Sequence, residues 1–111
     1  MTKVAMQGDS FTLSFKLTRS GVVLTPDNIA ELEVTIGKKL RKTLSGSEVQ
    51  YDLNSGRWRF RLTQRDTMQL DCLVHHDIRA RAKYDDNPDS DVKGVLLGTL
   101  YLETGSSKEV L

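Results

Sequence analysis

Cysteine is almost absent: Cys72 stands alone in 111 residues. A single thiol excludes an internal disulfide and any metal site built from several thiolates. Long apolar runs are missing too, and no stretch approaches the ~20 residues that span a bilayer. The opening Met1-Thr2-Lys3-Val4-Ala5-Met6-Gln7-Gly8-Asp9 lacks the apolar core of a secretory signal. Net charge is scarce, since 16 basic residues face 15 acidic ones for a formal +1, so no global field recruits nucleic acid or membrane. Internal repeats and low-complexity segments are also lacking. What remains is one small domain of a reducing compartment, with 38% hydrophobic residues to form its core. At this length, folding buries about two-thirds of the surface the unfolded chain exposes.

The pattern that is present has a period of two. Phe11, Leu13, Phe15 and Leu17 alternate with polar residues, as do Leu32, Val34 and Ile36, and Trp58, Phe60 and Leu62. The same alternation runs from Val74 through Tyr84 and from Leu96 to Leu102, with a weaker one at Val49-Tyr51-Leu53. Such alternation marks half-buried strands. Turn residues punctuate them. Arg19-Ser20-Gly21 and Asn54-Ser55-Gly56 predict hairpins joining 11–18 to 22–25 and 48–53 to 57–62. A helical turn is expected at Pro26–Ala30, and another at 64–70, where Thr63 and Asp66 fit a capping box. The fold expected is all-β: a single antiparallel Ig-like β-sandwich over 1–105, with one or two short helical turns and a C-terminal tail at 106–111. A small β-barrel is the alternative.

Catalytic and metal chemistry find little here. His75 and His76 are adjacent on a strand and point to opposite faces, so they cannot chelate one metal together. Cys72 with a histidine supplies two ligands where zinc takes three or four, and no third group orients a Cys72–His75 pair for nucleophilic work. Asp85, Asn87, Asp89 and Asp91 have the spacing that opens a calcium loop, but the glycine and terminal glutamate of that loop are missing and Pro88 stiffens its centre. A solvated loop is the expectation there. No Gly-rich phosphate loop or nucleophile elbow occurs. The sequence therefore predicts no catalytic residue, no metal and no cofactor.

Binding chemistry is better represented. Arg57, Arg59 and Arg61 share one strand face, Arg79, Arg81 and Lys83 share another, and Lys38, Lys39, Arg41 and Lys42 cluster in an expected turn. If the two arginine strands lie in one sheet they form a cationic ladder. Trp58 and Phe60 point to the core, so the stacking platform of single-strand binders and the aromatic floor of a sugar site are both absent from that face. Glu31 and Glu33 are placed to pair across to arginine. The first expectation is thus an outward, partly paired charged face; its functional reading is a surface that docks an acidic protein partner through Arg57, Arg59, Arg61, Arg79 and Arg81, with nucleic acid as the alternative. Leu97, Thr99 and Tyr101 leave the last strand apolar on both faces, which predicts cover by another subunit. Val110 and Leu111 extend that prediction to the tail, which is placed to add as a strand along a partner's edge.

Two phrases carry a resemblance. Gln7-Gly8-Asp9-Ser10-Phe11-Thr12-Leu13 reads G-D-S/T-F-x-L, and Gly56 to Thr67 (GRWRFRLTQRDT) reads as a glycine turn, an alternating strand and L-T-x-x-D/E-T. With the aliphatic strand Ala30–Ile36 between them and the closing strand Gly98–Glu103, the chain resembles the N-terminal domain of upper baseplate proteins of siphophages of Gram-positive bacteria, and related small phage and prophage tail proteins. That resemblance implies an Ig-like sandwich, no catalysis, and attachment to other tail or baseplate proteins or to further copies of itself. It also implies a place in the virion tail after synthesis in the bacterial cytoplasm. Larger members continue into a stem and a host-binding module, whereas this sequence stops at Leu111, as a stand-alone tail protein or a fragment. The basic turn at Lys38–Lys42 has no counterpart in the resemblance.

Overall fold

The computed structural model describes residues 2–84, 92–105 and 111. Ten strands and one short helix follow one another as β1 (Thr2–Met6), β2 (Phe11–Phe15), β3 (Thr18–Arg19), β4 (Val22–Val23), β5 (Glu31–Ile36), β6 (Leu40–Thr43), β7 (Val49–Asp52), β8 (Arg57–Leu62), α1 (Gln64–Met68), β9 (His75–Lys83) and β10 (Val92–Glu103). A single 3-10 turn at Pro26–Asn28 precedes β5. The strands form a five-stranded sheet in the order β1-β10-β9-β5-β6, a three-stranded sheet β2-β8-β7 and a small ribbon β3-β4. The molecule is an all-β sandwich. The expected acidic loop Asp85–Asp91 and the tail residues 106–110, Val110 among them, lie outside the described residues.

The alternation in the sequence decides what lies between the sheets. Leu13, Phe15, Val49, Trp58, Phe60 and Leu62 from the smaller sheet meet Leu32, Val34, Ile36, Ile78, Ala80, Leu100 and Leu102 from the larger one in one buried cluster. Trp58 is completely buried there, and its indole N–H donates to the Leu24 carbonyl at 3.1 Å. The β3-β4 ribbon closes through Ser20 and Gly21, both at positive φ (53° and 80°). Two such residues in a two-residue loop match the right-handed twist of the flanking strands, and Gly21 adopts that backbone without strain. The second hairpin pairs β7 with β8 as expected, with Val49 opposite Phe60.

One ladder departs from the antiparallel expectation. β1 runs parallel to β10, with Thr2 opposite Thr99 and Met6 opposite Glu103. β6 is a further departure, because the segment expected as a basic turn contributes only residues 37–39 to the turn and Leu40–Thr43 to the sheet.

The two phrases at Gln7–Leu13 and Gly56–Thr67 meet in space. Thr63 caps α1: its Oγ1 accepts from the Asp66 N–H at 3.1 Å, and Asp66 Oδ2 accepts from the Thr63 N–H at 2.8 Å. This box aims the fully buried Thr67 at the β1–β2 turn. The Thr67 hydroxyl donates to the Asp9 carbonyl at 2.8 Å and accepts from the Gly8 N–H at 3.0 Å, while Gln7 Nε2 donates to the Leu70 carbonyl at 3.2 Å. Replacing Thr67 with the isosteric valine strands both backbone groups. Thr67→Val should therefore cost about 1–3 kcal/mol in urea unfolding. An unchanged midpoint would mean that water takes over both bonds.

Candidate interaction surfaces

The outer face of the five-stranded sheet carries the first surface. Residues directly opposite each other in a ladder share a face, so the register places Tyr101 between Val4 of β1 and His75 of β9. The rings of Tyr101 and His75 lie 4.9 Å apart, and Thr99 Oγ1 meets Thr2 Oγ1 at 3.1 Å. Thr99 and Tyr101, expected as assembly residues, therefore stand on one outward face.

Leu97 does not join them. The ladder slips between Leu96, opposite Arg79, and Gly98, opposite Ile78. This bulge inserts one residue and reverses the alternation on its N-terminal side. Leu97 turns inward and packs half-buried against the core cluster, while Leu96 turns out and is 52% exposed. The glycine inside an otherwise regular strand was the available signal, since such a glycine marks a bulge.

With Leu96 in place of Leu97, the outer face presents exposed Val4 and Met6 beside Tyr101 on the β10-β1 ladder, and exposed Leu96 and Val92 farther along β10, beyond the reach of β1. Leu73, just before β9, is also exposed and is held at φ 63° with its N–H on the Leu102 carbonyl at 2.8 Å. A leucine at positive φ is strained, and the backbone that holds it there keeps an apolar side chain in solvent. Leu111 is exposed as well, its N–H donating to Gln64 Oε1 at 2.9 Å near α1.

The arginines divide between two surfaces. Arg57, Arg59 and Arg61 lie on the outer face of the three-stranded sheet, and Arg79 and Arg81 on the outer face of the five-stranded one. The single cationic ladder expected from the sequence does not form, because β8 and β9 belong to different sheets. Period-two alternation assigns faces but is silent about which strands are neighbours.

The charge environments of the two sets differ. Arg79 pairs with Asp77 at 3.0 Å, and Arg81 reaches Glu33 at 2.8 Å. Arg41 binds the same Glu33 carboxylate from β6. The Arg41 hydrogen bond, followed by Arg81, holds the Glu33 carboxyl below its ordinary value against the opposing effect of burial. Glu33 thus fulfils the cross-strand pairing expected of it, whereas Glu31 accepts from the Ser45 N–H at 3.1 Å. Arg57 and Arg61 bond to hydroxyls instead, with Asp52 opposite Arg57 in the β7-β8 ladder but forming no ion pair with it. Arg57 donates to Ser14 Oγ at 3.1 Å, Arg61 to Ser10 Oγ at 3.3 Å, and Arg59 stands opposite Ser14 and Gln50. None of the three makes an ion pair among the described residues.

The remaining candidates are held by structure. Lys42 points to Asp66 at 2.8 Å and Lys39 to Asp71 at 3.5 Å, so the basic cluster is dispersed into separate pairs. His76 Nε2 contacts the Asp71 carbonyl at 2.8 Å, and His75 faces the other side of the strand. Among the described residues no group of three His, Cys, Asp or Glu side chains is gathered to hold a metal ion, and no helix is long and apolar enough to cross a membrane. Comparison with protein-family models, curated proteins and solved structures returns no match for the chain.

Proposed function

We propose that the chain is a structural or adaptor component of a phage or prophage tail or baseplate, working through protein–protein contacts rather than catalysis. The observation that carries the mode of action is that Val92, Leu96, Val4 and Met6 stand exposed on the same outer sheet face as Tyr101, Val4 directly beside it and Leu96 and Val92 farther along β10. Apolar side chains gathered near one sheet edge favour burial against a neighbouring subunit. Arg57, Arg59 and Arg61 on the opposite outer face supply a second surface, whose charge selects and orients an acidic partner. The tail setting comes from the two phrases that resemble baseplate domains, joined in this fold through Thr67. Of the five arginines expected to form one ladder, a nucleic-acid partner would find only the three of β8 without an acidic partner, since Arg79 and Arg81 are engaged by Asp77 and Glu33.

Particles purified on a density gradient from an induced culture of the encoding strain should contain the chain in fixed ratio to the other tail proteins. Tyr101→Glu puts a charge directly beside Val4 on that apolar face. It should reduce incorporation about tenfold or more, the effect of losing one well-packed anchor. A chain abundant in the lysate but absent from the particles overturns the proposal.

A further inference from the structure

β10 is twelve residues long, yet its two edges are unequally covered. β9 pairs with it from Val92 to Tyr101, whereas β1 covers the other edge only from Thr99 to Glu103. From Val92 to Gly98 that second edge meets no strand among the described residues. The usual protections of an open edge are short length, proline, charge or a covering loop. This one contains no proline and a single charged residue, Lys93. Val92, Val95 and Leu96 along it are 53%, 48% and 52% exposed. Val92 to Leu96 keep regular register with β9, the bulge falling only after them.

Beneath this edge the sandwich is open. Val95 lies opposite Ala80 on the inner side of the sheet, where an interior residue would be expected. Instead it borders a cleft of about 260 Å³ walled by Leu17, Leu24, Ala82 and Leu97. The three-stranded sheet does not reach far enough to close it.

We propose that two copies of the chain join edge to edge through Val92–Leu96, antiparallel about a two-fold axis at Gly94, so that their five-stranded sheets merge into one. The sequence of the edge is self-complementary in this register. Val92 meets Leu96 of the second copy on the outer face, Gly94 meets Gly94 at the axis, and Lys93 meets Val95 on the inner face. No like charges stand directly opposed, which is the arrangement that cross-strand pairing tolerates. A two-fold axis at Lys93 would set the two lysines against each other. The two-fold axis runs perpendicular to the sheet, so both clefts open on the same side and face each other across the axis. Each copy thereby supplies the missing edge and part of the missing cover for its twin, as an isologous interface requires. The pairing needs only the strand edge and holds whether or not the chain sits in a tail.

Gly94 offers a test that leaves the single chain intact. Its φ is outside the left-handed region, and a Cβ built there meets only Arg81 Cγ at 3.6 Å and the Ala80 carbonyl at 3.8 Å, ordinary contacts. Gly94→Glu places a carboxylate opposite the chain's own Arg81, while two such carboxylates would confront each other at the axis. Light-scattering mass after size exclusion should show the wild type moving to twice the chain mass with concentration. Gly94→Glu should weaken that association at least about tenfold, with an unchanged thermal melt.

In a Cys72→Ser background, Gly94→Cys should cross-link on oxidation. Directly opposed residues of an antiparallel pair have Cα atoms about 4.5–5.5 Å apart, within disulfide reach. Val92→Cys alone should not cross-link, because it faces Leu96, whereas Val92→Cys with Leu96→Cys should. If Gly94→Glu lowers the melt, the cysteine pattern decides alone. A wild type that stays monomeric to its solubility limit overturns the inference. So does a dimer indifferent to Gly94→Glu, or cross-linking at Val92→Cys as fast as at Gly94→Cys. Such a dimer broken by Tyr101→Glu would assign self-association to the outer face and leave the tail reading untouched.

Discussion

Trp58→Ala should lower the free energy of unfolding by about 3–5 kcal/mol, the usual cost of truncating a fully buried aromatic to alanine. Domains of this kind have about 5–15 kcal/mol in total, so the loss takes a large share of the stability. The indole is wholly enclosed and meets the Tyr51 ring edge-on at 5.1 Å. Its N–H is the hydrogen-bond donor to the Leu24 carbonyl, tying the chain beyond the β3-β4 ribbon to the centre of the smaller sheet. Trp58→Phe separates the two contributions. It retains most of the apolar contact and leaves the Leu24 carbonyl without its donor, for a smaller loss of about 1–3 kcal/mol. Urea unfolding followed by far-UV circular dichroism measures both, since the only tryptophan is the residue replaced. A loss under about 1 kcal/mol for Trp58→Ala would mean that the surrounding chain collapses into the space and that this core is loosely packed.

Trp58 also shows what the sequence makes legible. Its alternation with Arg57 and Arg59 is enough to place it inward, and the same logic holds for Leu13, Phe15, Ile78 and Leu100, all buried. The α1 cap is equally readable, because Thr63 and Asp66 satisfy each other within four residues of chain. Long-range facts are a different matter. β1 is a short edge strand whose parallel partner lies at the far end of the sequence, and nothing local specifies that pairing. β6 is hidden because one of its two inward positions, beside Leu40, is a lysine: Lys42 reads as solvated until Asp66 is seen 2.8 Å away. The arginine ladder fails on sheet membership, and the assembly row changes by one residue because a bulge at Gly98 shifts its phase. Thr99 and Tyr101 were accessible from the sequence as outward residues. Their neighbours Val4 and Met6, which make a surface of them, depend on the parallel ladder.

The Lys42–Asp66 pair leads to the second large effect. Both side chains are mostly enclosed, at 13% and 15% exposure, and Asp66 Oδ2 accepts from both Lys42 Nζ and the Thr63 N–H at 2.8 Å. Asp66→Ala removes the return half of the α1 capping box and leaves the ammonium of Lys42 largely out of water, with Glu48 at 3.9 Å as its remaining acid. A cost of about 2–4 kcal/mol is expected, combining a lost cap with a broken, partly buried pair. Lys42→Met in the same chain should recover part of it, because removing both charges relieves the desolvation that removing one leaves behind.

The pH dependence follows from the same contacts. Burial raises the Asp66 carboxyl, but Lys42 and the Thr63 N–H outweigh it and hold the group below the ordinary 3.8. Glu33 is held below 4.5, foremost by Arg41. A folded-state value depressed below the unfolded one means that the stabilisation is complete above the unfolded pKa and is lost as pH falls through the folded one. The wild type should therefore lose stability as the solution is acidified below the ordinary carboxylate range. Asp66→Ala should show a shallower acid slope from a lower starting point, and Asp66→Ala with Glu33→Gln a shallower one still. Equal slopes for wild type and Asp66→Ala would place the acid sensitivity on carboxylates other than the one that caps α1.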